Sequence, residues 1–531
     1  MLLKKKNILL ISFLILIQLG FLVYFGMQKQ GMHFDEYFSY FNTNNSVGRQ
    51  VYDRTYVERE DILKDFYVKD NEKLNYSYVI KLQGYDVHPP VYYLILHTIC
   101  SVTPGVFSYW QGLFANILFL SIAIAFVYLI IFEMTQNYAA SFAISFLVAI
   151  NPGNISNGMF IRMYALLTMW MCVSIYLHIR MSKYDDLEDI PWKYVVLNGI
   201  LAYLGFLTHY FYLVFLFFIE AAFWIPKLFS IKKYWKSLLK YVISIMLFGI
   251  LGVVSFPQCL GHVNSGYRGV EVKSNMFDLS DFGDRLSFFG GLMNKFVFGN
   301  GMYVYVLIAA LLLVTSYYVL KKNRVDLKMV PVYIECLFIP TLGYFMVSAK
   351  GSLIGEEAMM RYQLPIYGLV LICVFLIIYG CIVCLIKKDK IKKIILGCLW
   401  VSFIIVTSIS LYNGNVFYLY QEQNDMKNIA KNNANKECVY IYNNEDNKYF
   451  LWNDVEQLWQ YERVYFVNSD NTDPIIEDAI CNSDDLIVYV STLNKNDDFK
   501  VYEELIYSSN KNLHESTKLY DGTYAECYEF K

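Results

Sequence analysis

Charge is what this 531-residue sequence has least of. Asp, Glu, Lys and Arg make up 17% of it, against about a quarter in a soluble domain. With 56% hydrophobic residues and a mean hydropathy of +0.34, the chain is too apolar for a water-soluble globular fold. Neither sign of charge prevails, and a net charge of -2 identifies no partner; no nucleic acid is expected. Internal repeats and low-complexity linkers are absent, which excludes a solenoid or an array. The eleven Cys lie mostly inside apolar runs, where they act as small hydrophobes; this holds for the C-x-x-C pair Cys381 and Cys384 as well.

What is present in quantity is apolar runs of about 20 residues, each long enough to cross a 30 Å hydrocarbon core. The first covers residues 7–25 behind Lys4, Lys5 and Lys6. It is too long for a typical signal-peptide core and no small-residue cleavage site follows, so it is expected to stay as a first span. Others are expected at 108–132, 138–157, 160–181, 193–208, 211–227, 239–257, 302–320, 330–348, 364–386 and 394–412, about eleven in all. Lys183, Lys193, the cluster Lys227/Lys232/Lys233/Lys236, the group Lys321/Lys322/Arg324/Lys328 and the group Lys387/Lys388/Lys390/Lys392/Lys393 all fall on the side of the N-terminus. The positive-inside rule makes that side cytoplasmic. The expected fold is therefore an α-helical polytopic membrane protein of the cell (plasma) membrane, with residues 1–412 as its membrane domain.

Between the first two long runs, residues 28–90 form a polar outer loop. It opens with His33-Phe34-Asp35-Glu36-Tyr37, where Phe34, Tyr37 and Phe38 share one helical face and predict a short helix along the membrane surface. Residues 91–102 are apolar but too short to span, which suggests a juxtamembrane or re-entrant segment. From about residue 421 the composition turns Asn-, Asp-, Glu- and Lys-rich. The runs CVYIYN, RVYFVN and DLIVYVS read as buried strands, alternating with helical patterns at 449–459 and 474–480. Residues 421–531 are thus expected to be a small extracytoplasmic α/β domain with a largely parallel sheet. It has no glycine-rich nucleotide motif, and its Cys438, Cys481 and Cys527 allow one disulfide at most.

The polar groups that could carry chemistry collect at the outer mouth of the bundle. They are Asp35 and Glu36; Asp86, His88, Pro89 and Pro90; Arg162 and Tyr164; His209 and Tyr210; and Glu356, Glu357, Arg361 and Tyr362. Ionisable groups near membrane depth are costly and mark functional cavities. A carboxylate could take a proton from a hydroxyl while Arg and His hold a phosphate. Each group also has a structural reading. The acidic pair suits a helix N-terminus, and His88-Pro89-Pro90 a turn into a helix. Arg162 could snorkel to lipid headgroups, His209 could serve freed carbonyls, and Arg361-Tyr362 could anchor at the interface.

In order and sidedness these motifs resemble the GT-C superfamily of integral-membrane glycosyltransferases, in particular bacterial relatives of the protein O-mannosyltransferases and aminoarabinose transferases. The elements that carry the resemblance are Asp35-Glu36, HPPVYYLILH from His88, the R-M-Y-A-L element at Arg162 to Leu166, Thr208-His209-Tyr210, and RYQLP from Arg361. Two positions depart from the pattern: Gln111 stands where relatives often have Arg, and Phe160 where an acidic residue is common.

The resemblance implies transfer of a sugar from a polyprenyl-phosphate donor to an acceptor hydroxyl outside the membrane, with inversion. The acceptor is a lipid, a wall glycan or a protein. Asp35 would be the general base, and Glu36 would position the acceptor or tune Asp35. His88, Arg361 and Arg162 would neutralise the lipid phosphate, and Tyr164, His209, Tyr210 and Tyr362 would line the sugar site. Some members use a divalent metal and others do not; with one clear carboxylate pair at the mouth, no metal or other cofactor is assigned. Two further functions compete, a polyprenol-linked glycan flippase or transporter and a non-catalytic glycan-binding scaffold. A transporter is expected to bury its charges near the midplane, and a scaffold leaves the motif series unexplained.

Overall fold

The computed structural model describes residues 5–46, 52–184, 187–228, 231–277, 280–323, 329–443, 452, 454–471, 473–491, 499–522 and 525–531. Arg324 and Lys328 of the basic loops, and part of the 449–459 helical pattern, lie outside them. The chain divides into two compact units. The first comprises Met1–Met27, Ile80–Ile95 and Gly112–Phe417, and the second Gln28–Val79, Leu96–Gln111 and Tyr418–Lys531.

The first unit is helical. Among the described residues, seven helices are long and apolar enough to cross a membrane: Lys5–Gln28, Tyr109–Thr135, Tyr164–Met181, Tyr234–Ser255, Val330–Gly351, Leu364–Leu385 and Asp389–Tyr412. The pair Tyr138–Ala149 and Pro152–Met159, bent by 54°, adds an eighth if it is one broken span. Every run expected to span overlaps a helix, yet the expected count of about eleven is not reached on length and composition. Trp192–Phe206 has 15 residues and Tyr212–Leu228 has 17. Such helices are about 22 and 25 Å long, short of a core of about 30 Å.

The bend in the broken pair has a local cause. Asn151 caps the second helix by accepting the Gly153 N–H at 3.1 Å, Pro152 takes the first helical position, and the Asn151 amide donates to the Val297 carbonyl at 2.8 Å. A proline there gives up no hydrogen bond and ends the preceding helix.

The second unit is built on a six-stranded sheet in the order β1-β3-β2-β4-β6-β5, with β1 at Thr55–Glu58, β2 at Glu437–Tyr442, β3 at Arg463–Asn468, β4 at Leu486–Ser491, β5 at Ser516–Asp521 and β6 at Ala525–Phe530. The expected parallel pairing holds only at the centre, where β2 runs parallel to β3 and β4. The edges are antiparallel: β1 pairs with β3, and the β5–β6 hairpin closes on β4. Alternation places Val439, Ile441, Val467, Val488, Val490 and Phe530 on one face, against Tyr502 and Ile506 of the Phe499–Ser509 helix. Cys438, Cys481 and Cys527 are all free. β4 separates the strands of Cys438 and Cys527, so their Cα atoms are about 9.6 Å apart or more, beyond the reach of a disulfide.

The acidic motif also belongs to this unit. A helix forms at Phe34–Asn44 as its pattern predicts, but its apolar face meets protein. Phe38 and Phe41 pack on Trp452 with ring centroids 5.2 and 4.8 Å away, and Tyr37 packs on Phe66 at 5.4 Å. Tyr40 is fully buried and its hydroxyl donates to the Ser108 carbonyl at 2.8 Å. A helix with this many buried aromatics packs its apolar face on protein. Trp452 is buried and also faces Phe66 at 5.3 Å. Trp452→Ala should cost about 3–5 kcal/mol, read as a lower unfolding temperature and loss of near-UV circular dichroism in the purified protein.

Candidate active site

Two groups of candidate residues emerge, one in each unit. In the first unit, four breaks in the helical framework supply the side chains. Residues 86–90 follow the Tyr76–Tyr85 helix and precede the Val91–Cys100 helix, with Pro89 and Pro90 making the turn. The Val91 N–H donates to the Leu207 carbonyl at 3.0 Å, which ties this turn to the break between Trp192–Phe206 and Tyr212–Leu228. Arg162 lies in the short connection between Pro152–Met159 and Tyr164–Met181. Asn116, buried in the Tyr109–Thr135 helix, donates to the carbonyls of Gly158 and Phe160 at 3.1 and 2.7 Å. The Phe160 carbonyl also accepts the Arg162 N–H at 2.7 Å, so the end of this helix is met by both a side chain and the backbone. Arg361 and Tyr362 come from a short 3-10 turn just before the Leu364–Leu385 helix.

These breaks bring seven of the expected residues together. Arg162, 3% exposed, donates to Tyr93 Oη at 3.0 Å and faces His88 Nε2 at 3.3 Å. His88 Nδ1 lies 2.9 Å from Asp86 Oδ2. The His88 and His209 rings are 6.2 Å apart, His209 and Tyr164 5.5 Å, and Tyr164 and Tyr362 6.4 Å. Arg361, buried, sits over the Tyr362 ring at 5.2 Å.

Tyr210 turns elsewhere. Its hydroxyl lies 2.8 Å from His262 Nδ1, and His262 Nε2 lies 3.3 Å from the Gly84 carbonyl. A carbonyl only accepts, so His262 carries its proton on Nε2 and Tyr210 donates to Nδ1.

The charges in this group are well defined. A guanidinium stays protonated in proteins, so Arg162 is a fixed cation. Burial drives the His209 pKa down to about 3, and His88 and Arg162 push the same way, so His209 is neutral at physiological pH. Burial alone would raise the Asp86 pKa, but the Coulombic attraction and hydrogen bond of His88, with Arg162 adding to them, hold it below the ordinary value. Asp86 is therefore an anion facing an imidazole and a guanidinium.

In the second unit, His33 caps the Phe34–Asn44 helix. Its Nδ1 accepts the Asp35 N–H at 3.1 Å, so the 3.6 Å approach of that same nitrogen to Asp35 Oδ2 is not an ion pair. The Asp35 side chain is 24% exposed. Glu36 differs completely. Its carboxylate accepts the His33 N–H at 2.6 Å, completing a capping box. It also pairs with Lys29 Nζ at 3.1 Å, with both side chains fully buried. Lys29 donates in addition to the Tyr418 carbonyl at 2.6 Å. Burial lowers the Lys29 pKa, and Glu36 opposes it.

Tyr93, Asn116 and Lys29 thus join the residues singled out from the sequence. Among the described residues no three His, Cys, Asp or Glu side chains converge as a metal site requires.

The dolichyl-phosphate-mannose-protein mannosyltransferase family matches residues 43–262. A search of curated proteins found no match. Among solved structures, ArnT from Cupriavidus metallidurans bound to undecaprenyl phosphate is similar with a TM-score of 0.52 at 9% identity, covering 98% of this chain and 97% of that one. The Archaeoglobus fulgidus oligosaccharyltransferase in complex with Zn and sulfate is similar with a TM-score of 0.46 at 13% identity, covering 97% and 72%; the assignment of fold rests on ArnT.

Removing Lys29 tests the buried pair. Lys29→Met should strand the Glu36 charge and cost about 3–5 kcal/mol, seen as a lower unfolding temperature, whereas Lys29→Met with Glu36→Gln should recover part of the loss. Residues 43–262 thus match the dolichyl-phosphate-mannose-protein mannosyltransferase family, and the chain has an ArnT-like fold with many apolar helices.

Proposed function

We propose that this protein transfers a sugar from a polyprenyl-phosphate donor to an acceptor hydroxyl at the outer face of the membrane, inverting the anomeric carbon. Asp35 takes the hydroxyl proton as the oxygen attacks. The bond from the anomeric carbon to the phosphate oxygen breaks on the opposite side, and the lipid phosphate leaves with the electron pair. A phosphate has a low proton affinity, so it needs positive charge in reach more than it needs an acid. Arg162 and Arg361 supply that charge, with His88 beside Arg162. Tyr164, His209 and Tyr362 offer ring faces and a neutral imidazole to the sugar. Glu36 holds the start of the helix that carries Asp35, through the capping box and Lys29.

The observation that carries this reading is a permanent guanidinium charge, Arg162, held almost fully buried among imidazoles and tyrosines. A fixed cation in such a polar setting offers a phosphate strong charge-assisted hydrogen bonds. The family match over residues 43–262 and the likeness to ArnT, which was solved with undecaprenyl phosphate, support the donor class. The basic loops support an N-terminus in the cytoplasm, with Asp35 and the C-terminal residues outside.

Purified protein given polyprenyl-phosphate sugars should transfer sugar. Asp35→Asn should lower the rate at least about 100-fold, the usual scale of a general base, with folding unchanged; an undiminished rate would remove Asp35 from the mechanism. A single Cys introduced at Asp35 into a cysteine-free chain should react with an impermeant thiol reagent from outside intact cells. Labelling only after the cytoplasm is opened would invert the topology.

A further inference from the structure

We infer that Asp86 and His88 form a positioning dyad that aims Arg162 at the donor phosphate, with His88 acting as a neutral hydrogen-bond acceptor and not as a cation. The argument is a count of donors. Arg162 has five N–H donors and no acceptor, so its 3.3 Å approach to His88 Nε2 requires a lone pair on that nitrogen. The ring proton then sits on Nδ1 and is donated to Asp86 Oδ2 at 2.9 Å. A doubly protonated His88 would set N–H against N–H at its Nε2. Asp86, held anionic by its neighbours, selects the Nδ1–H tautomer, as a carboxylate does for a metal-binding or catalytic imidazole.

The effect falls on the guanidinium. Nη2 is held by His88 and Nη1 by Tyr93 Oη at 3.0 Å, and Tyr93 is fully buried. Two acceptors on two different nitrogens fix both the position and the plane of the fork. Binding to phosphate by a planar fork depends on that plane. Asp86 and His88 therefore act through Arg162. The identity of the anion as a donor phosphate rests on the proposed transfer activity; the tautomer does not.

Two measurements on the full-length protein in lipid nanodiscs test this. In 15N-histidine NMR, the sequence has only seven His, and His88→Gln assigns the His88 signal by its loss. Wild type should show a protonated Nδ1 and a bare Nε2 at neutral pH, and Asp86→Asn, which replaces a charged acceptor by a neutral one, should shift the Nδ1 signal. A doubly protonated His88 at neutral pH, or a spectrum unmoved by Asp86→Asn, overturns the dyad.

In the second, affinity for undecaprenyl phosphate is measured. Asp86→Asn should weaken it about tenfold, the scale of one lost hydrogen bond to a charged group. Gln at position 88 has an amide oxygen to offer Arg162 and no tautomer to set, so Asp86→Asn should cause no further loss in that background or in Arg162→Lys. An equal loss in either background, or none in wild type, overturns the aiming role. Failure of wild type to bind undecaprenyl phosphate overturns the transfer reading together with the phosphate half of this inference, while the NMR spectrum still decides the tautomer.

Discussion

A guanidinium inside a helical membrane bundle cannot give up its proton, so everything around Arg162 has to accept from it or balance it. Lysine in the same place could shed its charge, and histidine could switch its tautomer; arginine can do neither. Tyr93, His88 and, one step further out, Asp86 meet that demand in the first unit. The neutral state of His209 follows first from its burial, and the charge of Arg162 pushes the same way. The charge pattern of the group is thus one fixed cation, one anion held through an imidazole, and a neutral ring. That pattern suits an incoming phosphate better than a cluster of mobile cations would, since its donors are already oriented before the ligand arrives.

The second unit solves a different problem with the same physics. Adjacent carboxylates on one helix turn would repel each other, and the structure separates them by environment. Glu36 is buried and neutralised by Lys29, and it spends an oxygen on the His33 amide. Asp35 keeps a quarter of its side chain in solvent. The buried pair gains little net stability from its own attraction, because both ions lose hydration. What it secures is geometry: the capping box and the bond from Lys29 to the Tyr418 carbonyl fix where the helix begins, and hence where Asp35 stands on that helix.

Much of this was legible in the sequence, because the signals were local. Runs of apolar residues marked the membrane helices, and Asp35, His88, Arg162, His209 and Arg361 stood out as ionisable groups at their ends. The strand runs at Glu437–Tyr442, Arg463–Asn468 and Leu486–Ser491 were equally plain. What escaped was long-range or ambiguous. β1 pairs with a strand some four hundred residues later, at Val57↔Val464 and its neighbours, and four residues of strand carry no periodicity that would announce it. Lys29, directly after an apolar helix, reads as an interfacial anchor; only the fold shows it fully buried against Glu36. The one signal available for Asn116 was a lone amide inside an apolar run, which needs partners wherever it is buried. The count of spans is not reached among the described residues, in part because residues 193–227 hold enough apolar length for two helices that are each shorter than the hydrocarbon core.

The placement of the group at helix breaks follows from what a membrane interior forbids. A continuous helix satisfies its own backbone and offers only side chains, whereas a break exposes amides and carbonyls that must find partners. Such a break is affordable only where polar side chains are already present to meet it. Asn116 closes the carbonyls of Gly158 and Phe160 beside Arg162. The Val91 amide closes Leu207 beside His209, and His209 accepts the Phe211 amide at 3.1 Å with its own Nδ1. Each partner that repairs the backbone also fixes a side chain of the site. The Phe160 carbonyl takes both the Asn116 amide and the Arg162 N–H, so the side chain that repairs this break also braces the turn on which the guanidinium is mounted.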